Sequence, residues 1–138
     1  MTRLVSKRAQ RSKRTRSDNV RVVAAQLLSD LIAQHGNLST LLDSAQASIS
    51  TDQRPLLQEM SYGTARHLQT LEFLAQQRLK KPLRNKDHDV YCLILVGLYQ
   101  LRYMRVAPHA AINETVNAVT GLGKQWAKGV VNLSLIHI

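Results

Sequence analysis

Seven Lys and Arg residues crowd the first seventeen positions: Arg3, Lys7, Arg8, Arg11, Lys13, Arg14 and Arg16, with no acid among them. The chemistry such a run offers is polyanion binding. Each cation that neutralises a phosphate releases condensed counterions, so the affinity falls with salt. Arginine adds forked bonds to phosphate and stacking on unpaired bases. So many like charges repel one another, and residues 1–17 are expected to form a disordered basic tail that orders on a partner. A merely solubilising tail is the competing reading. An organelle-targeting peptide is a third, but it needs an apolar face, and only Leu4 and Val5 supply one.

The remaining reactive side chains point away from catalysis. The single cysteine, Cys92, excludes an internal disulfide and lies in the most apolar stretch, which predicts a buried, inert thiol. His35, His67, His88, His109 and His137 lack the paired spacing of a metal site, and with one cysteine no zinc set can be assembled. His109, beside Pro108, is read as a structural cap. Glu114 has no second acid placed to make a carboxylate pair and is expected to bond within its own helix. Gly36, Gly63, Gly97, Gly121, Gly123 and Gly129 are scattered, so no glycine-rich turn brings backbone amides close to a cofactor. Cys92 follows Tyr91, so there is no Pro-Cys nucleophile motif. No catalytic residue and no metal ligand is expected in this chain.

The elements that must carry these residues are helical. The 138 residues suffice for one domain. Hydrophobic residues make up 44% and aromatics only 4%, so the core must come from Leu, Val, Ile and Ala. Of the net charge of +10, most sits in the tail: the remainder has twelve basic residues against nine acids. No apolar run approaches the roughly 20 residues needed to span a bilayer.

Val20, Val23, Ala24, Leu27, Leu28 and Leu31 recur at helical spacing. Ser17 or Asp18 is placed to cap that helix, and Gly36 to end it. A short helix follows at Leu38, Leu41, Leu42 and Ala45, then a loop over Ser48–Thr51. Asp52 is placed to cap a third helix with Pro55 in its first turn. A break is expected near Gly63–His67, and Leu68, Leu71, Leu74 and Leu79 continue the pattern. Lys80–Asp87 reads as a polar linker. Asp89–Met104 is apolar on nearly every side and too long for a strand, so it predicts a buried helix. Its Gly97 costs that helix about 1 kcal/mol relative to Ala, which points to a neighbouring helix approaching closely. Pro108 cannot continue this helix but suits the first turn of the next. Gly121–Lys124 is a turn, and Trp126 leads a last helix. Strand-period alternation and internal repeats are absent, which leaves an all-α chain of about seven helices.

The run VGLYQLRYMRVAPHAA followed by ETV resembles the all-helical domain shared by NusB-type antitermination factors and the N-terminal part of RsmB-type ribosomal RNA cytosine-C5 methyltransferases. LLQEMSYGTARHLQTLEFLAQQRLKKP, VRVVAAQLLSDLI and KGVVN extend the likeness over roughly residues 19–132. The wording is closer to the methyltransferase branch. The resemblance implies a compact NusB-like bundle over 18–132 that docks structured RNA, here ribosomal RNA, by phosphate contacts and stacking. It points to Arg8, Arg11, Lys13, Arg14, Arg16 and Arg21 as RNA contacts. Arg66, Arg102 and Arg105, at helix ends or corners, extend that surface, with solvated charge as the plainer alternative. The intact protein would attack cytosine C6 with a cysteine and transfer a methyl from S-adenosylmethionine to C5, in a cytoplasmic setting. The alternative is a free-standing antitermination factor that binds RNA and a ribosomal protein. After KGVVN the chain departs from the family pattern. LSLIHI looks like translated sequencing-adapter read-through, so 133–138 is expected to be non-native.

Overall fold

A computed structural model of the chain describes residues 17–136. The basic tail at 1–16 lies outside them. Seven α-helices are present among the described residues, linked by 3-10 turns, and no strand occurs there. They are α1 (Val20–Ile32), α2 (Leu38–Ala45), α3 (Arg54–Arg66), α4 (Leu68–Arg78), α5 (His88–Tyr103), α6 (Pro108–Asn117) and α7 (Lys128–Ile136). The all-α reading with about seven helices therefore holds.

Helix α5 is the axis of the molecule. Every residue from Cys92 to Gln100 is buried, as an all-round apolar helix requires. It packs against α1, α3, α4, α6 and α7. Gly97 makes one of these contacts possible. A Cβ there would lie 2.8 Å from Leu135 Cδ1 of α7 and 3.0 Å from Thr115 Cγ2 of α6. Ser134 and Leu135, within the segment expected to be foreign, are both buried in this packing.

Four local expectations need correction. Helix α1 is capped by Asn19, not by Ser17 or Asp18. The Asn19 Oδ1 accepts from the backbone N–H groups of Arg21 (3.0 Å) and Val22 (3.2 Å), which are donors without partners inside the helix. Ser17 Oγ instead accepts from the Asn19 N–H. Gly36 does not end α1: the helix stops at Ile32 with Ala33 as its C-cap, and Gln34 takes the left-handed conformation (φ 61°). Asp52 caps nothing, because Thr51–Gln53 forms a 3-10 turn and α3 begins with no side-chain cap. Pro55 in the first turn removes one of the N–H groups a cap would serve. His109 is no cap either; Ala107 holds that position without a side-chain bond, and His109 is exposed.

The predicted break falls at His67, between α3 and α4. The linker after α4 is anchored by ions. Lys124 Nζ lies 2.7 Å from Asp89 Oδ1 and 3.2 Å from Asp87 Oδ1, and donates to the Lys86 carbonyl at 2.7 Å. Asp87 is nearly buried, so this ammonium is what makes its burial tolerable.

Candidate nucleic-acid interface

The cations predicted for RNA contact separate into three groups. Arg8, Arg11, Lys13, Arg14 and Arg16 lie outside the described residues. Arg66, Arg102 and Arg105 come together at one end of the bundle, all exposed. Arg66 is the last residue of α3, Arg102 is in the last turn of α5, and Arg105 is in the corner that follows it. Cations at helix C-termini also complement the partial negative charge of the exposed carbonyls.

Arg21 sits elsewhere, with its side chain only 15% exposed. Its Nε donates to Gln100 Oε1 at 3.0 Å, and Nη1 lies 3.8 Å from Glu114 Oε2. Gln100 is fully buried and in turn donates to Thr115 Oγ1 (3.0 Å) and the Val96 carbonyl (3.2 Å). Burial lowers the Arg21 pKa, and Glu114 partly offsets that. The guanidinium thus ties α1 to α5 and α6. Glu114 reaches across to α1 rather than bonding within its own helix.

Around Arg66 and Arg102 the structure assembles rings that the sequence reading passed over. His67 stacks on Tyr103 with centroids 4.0 Å apart and planes 12° from parallel. Tyr99 lies 5.5 Å from Tyr103 and 6.3 Å from His67. Arg102 Cζ stands 5.6 Å from the Tyr103 centroid, and its Nε donates to Tyr103 Oη at 3.3 Å. Tyr103 and Tyr62 are exposed, while Tyr99 is buried beneath. Tyr99 and Tyr103 are one helical turn apart, and that spacing was the available signal. Gly63 seats the stack: a Cβ there would fall on the Tyr99 ring. Burial first, then the Glu59 carboxylate, raises the Tyr99 pKa, with Arg66 opposing. The phenol therefore remains a neutral donor. Unpaired bases stack on exposed rings of this kind, while cations around them contact the phosphates.

The other reactive groups are internal. Cys92 is fully buried, and burial pushes its thiol pKa far up, with Asp89 adding to the shift. The thiolate is the reactive form, so this cysteine is inert. His88 Nδ1 is 3.0 Å from Ser29 Oγ and 3.8 Å from the Cys92 sulfur. No group of three or more potential metal ligands occurs among the described residues. No helix among them is long and apolar enough to cross a membrane.

Among the described residues no strand leads into a glycine turn. Gly63, Gly97 and Gly121 are backed by the protein's own Tyr99, Leu135 and Val22, whereas Gly123 and Gly129 face open space.

The family model described as "NusB family" matches residues 18–135. The chain is similar to the ribosomal RNA small subunit methyltransferase B of Pasteurella multocida, with 44% identity over 114 residues, covering 83% of this chain and 26% of that protein. The protein of the same name from Yersinia enterocolitica is 45% identical over 114 residues, covering 83% and 27%. The probable ribosomal RNA small subunit methyltransferase B of Coxiella burnetii is 40% identical over 114 residues, covering 83% and 25%. The chain spans about a quarter of the length of these relatives.

Proposed function

The chain belongs to the NusB family, and from that premise we propose that it is the RNA-docking domain of a ribosomal RNA cytosine-C5 methyltransferase. Its task is to hold ribosomal RNA while methyl transfer from S-adenosylmethionine takes place on residues other than those described here. The observation that carries the reading is the platform of exposed Tyr103 and Arg102 backed by half-buried His67, flanked by Arg66 and Arg105. Stacking on such a ring is indifferent to base identity, since every base has a π-face. The arginines add phosphate contacts, and the tail cations Arg8, Arg11, Lys13, Arg14 and Arg16 extend them.

The names of the relatives support this reading over a free-standing antitermination factor. A platform that stacks bases needs them unpaired, so loops or bulges of a structured RNA are the ligand. Fluorescence anisotropy with one RNA sequence, as a single strand and as a duplex, tests this. The single strand should bind more tightly, and Tyr103→Ala should remove most of the difference. Equal affinity for both forms would overturn the reading.

A further inference from the structure

Phe73, the only phenylalanine of the chain, is 61% exposed, more than any other large hydrophobic side chain among the described residues. Its ring meets no other aromatic ring there. It stands midway along α4, which runs from the platform at His67 to the basic loop that begins at Lys80. Gln69, Thr70, Gln76 and Gln77 are exposed three or four positions from it, on the same face of the helix. The one acid of α4, Glu72, is half-buried and turned toward Tyr91. Resting on the RNA-docking reading, we propose that this face of α4 is a track for single-stranded RNA. The strand runs from the Tyr103 platform across Phe73 to the cations of the loop.

Three features support this. An exposed flat ring stacks a base whatever its identity, and covering it removes apolar surface from water. Second, the cations of the loop are free. Lys80, Lys81, Arg84 and Lys86 are exposed, and none pairs with an acid among the described residues. The acids beside them are already neutralised, since Lys124 pairs with both Asp87 and Asp89. The same ion pairs, with Leu79 and Leu83 packed on the core, hold the loop in shape and present its cations in place. Third, the span suits a strand. At 1.5 Å per residue the 11 residues of α4 cover about 16 Å, or roughly five stacked nucleotides at 3.4 Å each. The exposed side chains between the two ends are neutral, so nothing there repels phosphate. Cations with exposed rings between them are how proteins bind single strands without reading their sequence.

The test is anisotropy with the full chain and an oligouridine of about twelve nucleotides, longer than the track. Phe73→Ala should weaken binding about tenfold and leave the salt slope unchanged. Phe73→Tyr should bind like the parent, whereas Phe73→Leu, apolar but without a flat ring, should bind like Phe73→Ala. Lys80→Gln, Lys81→Gln and Arg84→Gln should each lower the slope of log affinity against log salt by about 0.7. All these positions are exposed, so the variants should fold like the parent. If Phe73→Ala or Phe73→Leu binds as tightly as the parent, the track is overturned and Phe73 is left for a protein partner. Loop substitutions that leave the slope unmoved would overturn it too. In either case a loss of affinity in Tyr103→Ala would keep the docking function standing. Failure of the parent to bind the strand would overturn both.

Discussion

Gly63 and Tyr99 share one space: the backbone of α3 is the wall against which the Tyr99 ring lies, and a Cβ at position 63 would come within 2.0 Å of the Tyr99 Cζ and 2.2 Å of its Oη. The platform above depends on this contact, because Tyr99 supports Tyr103 and His67.

Gly63→Ala is therefore expected to destabilise the fold although alanine is the better helix former. Overpacking costs about 1–3 kcal/mol, against about 1 kcal/mol regained in helix propensity. In a Tyr99→Leu background the clash is relieved, and the same substitution should become neutral or stabilising. Urea unfolding of the four proteins in a double-mutant cycle measures this coupling. Additive effects would show that the two residues do not share space.

Arg21 and Gln100 make a second dependent pair. Arg21→Ala leaves the buried Gln100 Oε1 without its donor, which should cost about 1–3 kcal/mol. Adding Gln100→Leu to an Arg21→Met variant should recover only part of that loss, because it removes the stranded Gln100 amide but takes the Gln100 donor away from the buried Thr115 Oγ1. Urea midpoints report the stability. RNA affinity of the folded Arg21→Ala protein should stay near that of the parent, whereas a large loss would give Arg21 a direct role in binding.

The fold was largely legible because its main signal is local. The apolar run through Leu93–Leu101 can only be a buried helix, and Gly97 in it marks the close approach that Leu135 makes. The site was legible only in its charges. Arg66, Arg102 and Arg105 could be placed at helix ends from Gly63 and Pro108, but the rings they flank come from α3–α4 and α5. No periodicity within one helix reveals that His67 meets Tyr103. Arg21 shows the converse: its position beside the basic tail argued for RNA, while its partners Gln100 and Glu114 lie about eighty or more positions away in the chain. Caps were misplaced by a residue or two, as helix ends commonly are.

Stacking and charge at the platform should separate under salt. Arg102→Ala, Arg66→Ala and Arg105→Ala should each lower the slope of log affinity against log salt by about 0.7, the single-strand value per phosphate contact. Tyr103→Ala should weaken binding by about 1–3 kcal/mol through lost stacking, and leave the slope unchanged. Anisotropy titrations across a salt series give both quantities. A slope that no arginine substitution moves would place the phosphate elsewhere.

Removal of residues 1–17 should weaken RNA binding markedly and flatten the salt dependence further, because seven cations leave with the segment. The unfolding midpoint should change little, since α1 retains its own cap, Asn19. An unchanged affinity and slope would reduce the tail to a solubilising role.

Alkaline pH should unfold the protein earlier than its ordinary side chains would predict. Tyr91 holds its proton to about 12 when folded, against 10.0 for a free tyrosine, and burial also raises Tyr99 and Cys92. The unfolded chain sheds these protons first, so the native state binds more of them and stability falls as pH rises. For Tyr91 the contribution is complete below about pH 10 and is lost between there and about pH 12. Cys92 begins its loss sooner, near the ordinary thiol value of 9.0. Urea midpoints measured from neutral to strongly alkaline pH should therefore decline in two stages. Cys92→Ala should flatten the first stage and Tyr91→Phe the second. Tyr91→Phe also removes the unpartnered buried hydroxyl, so at neutral pH it should leave stability equal or slightly higher. If Tyr91→Phe leaves the alkaline decline as steep as in the parent, the Tyr91 hydroxyl is open to solvent in the folded protein.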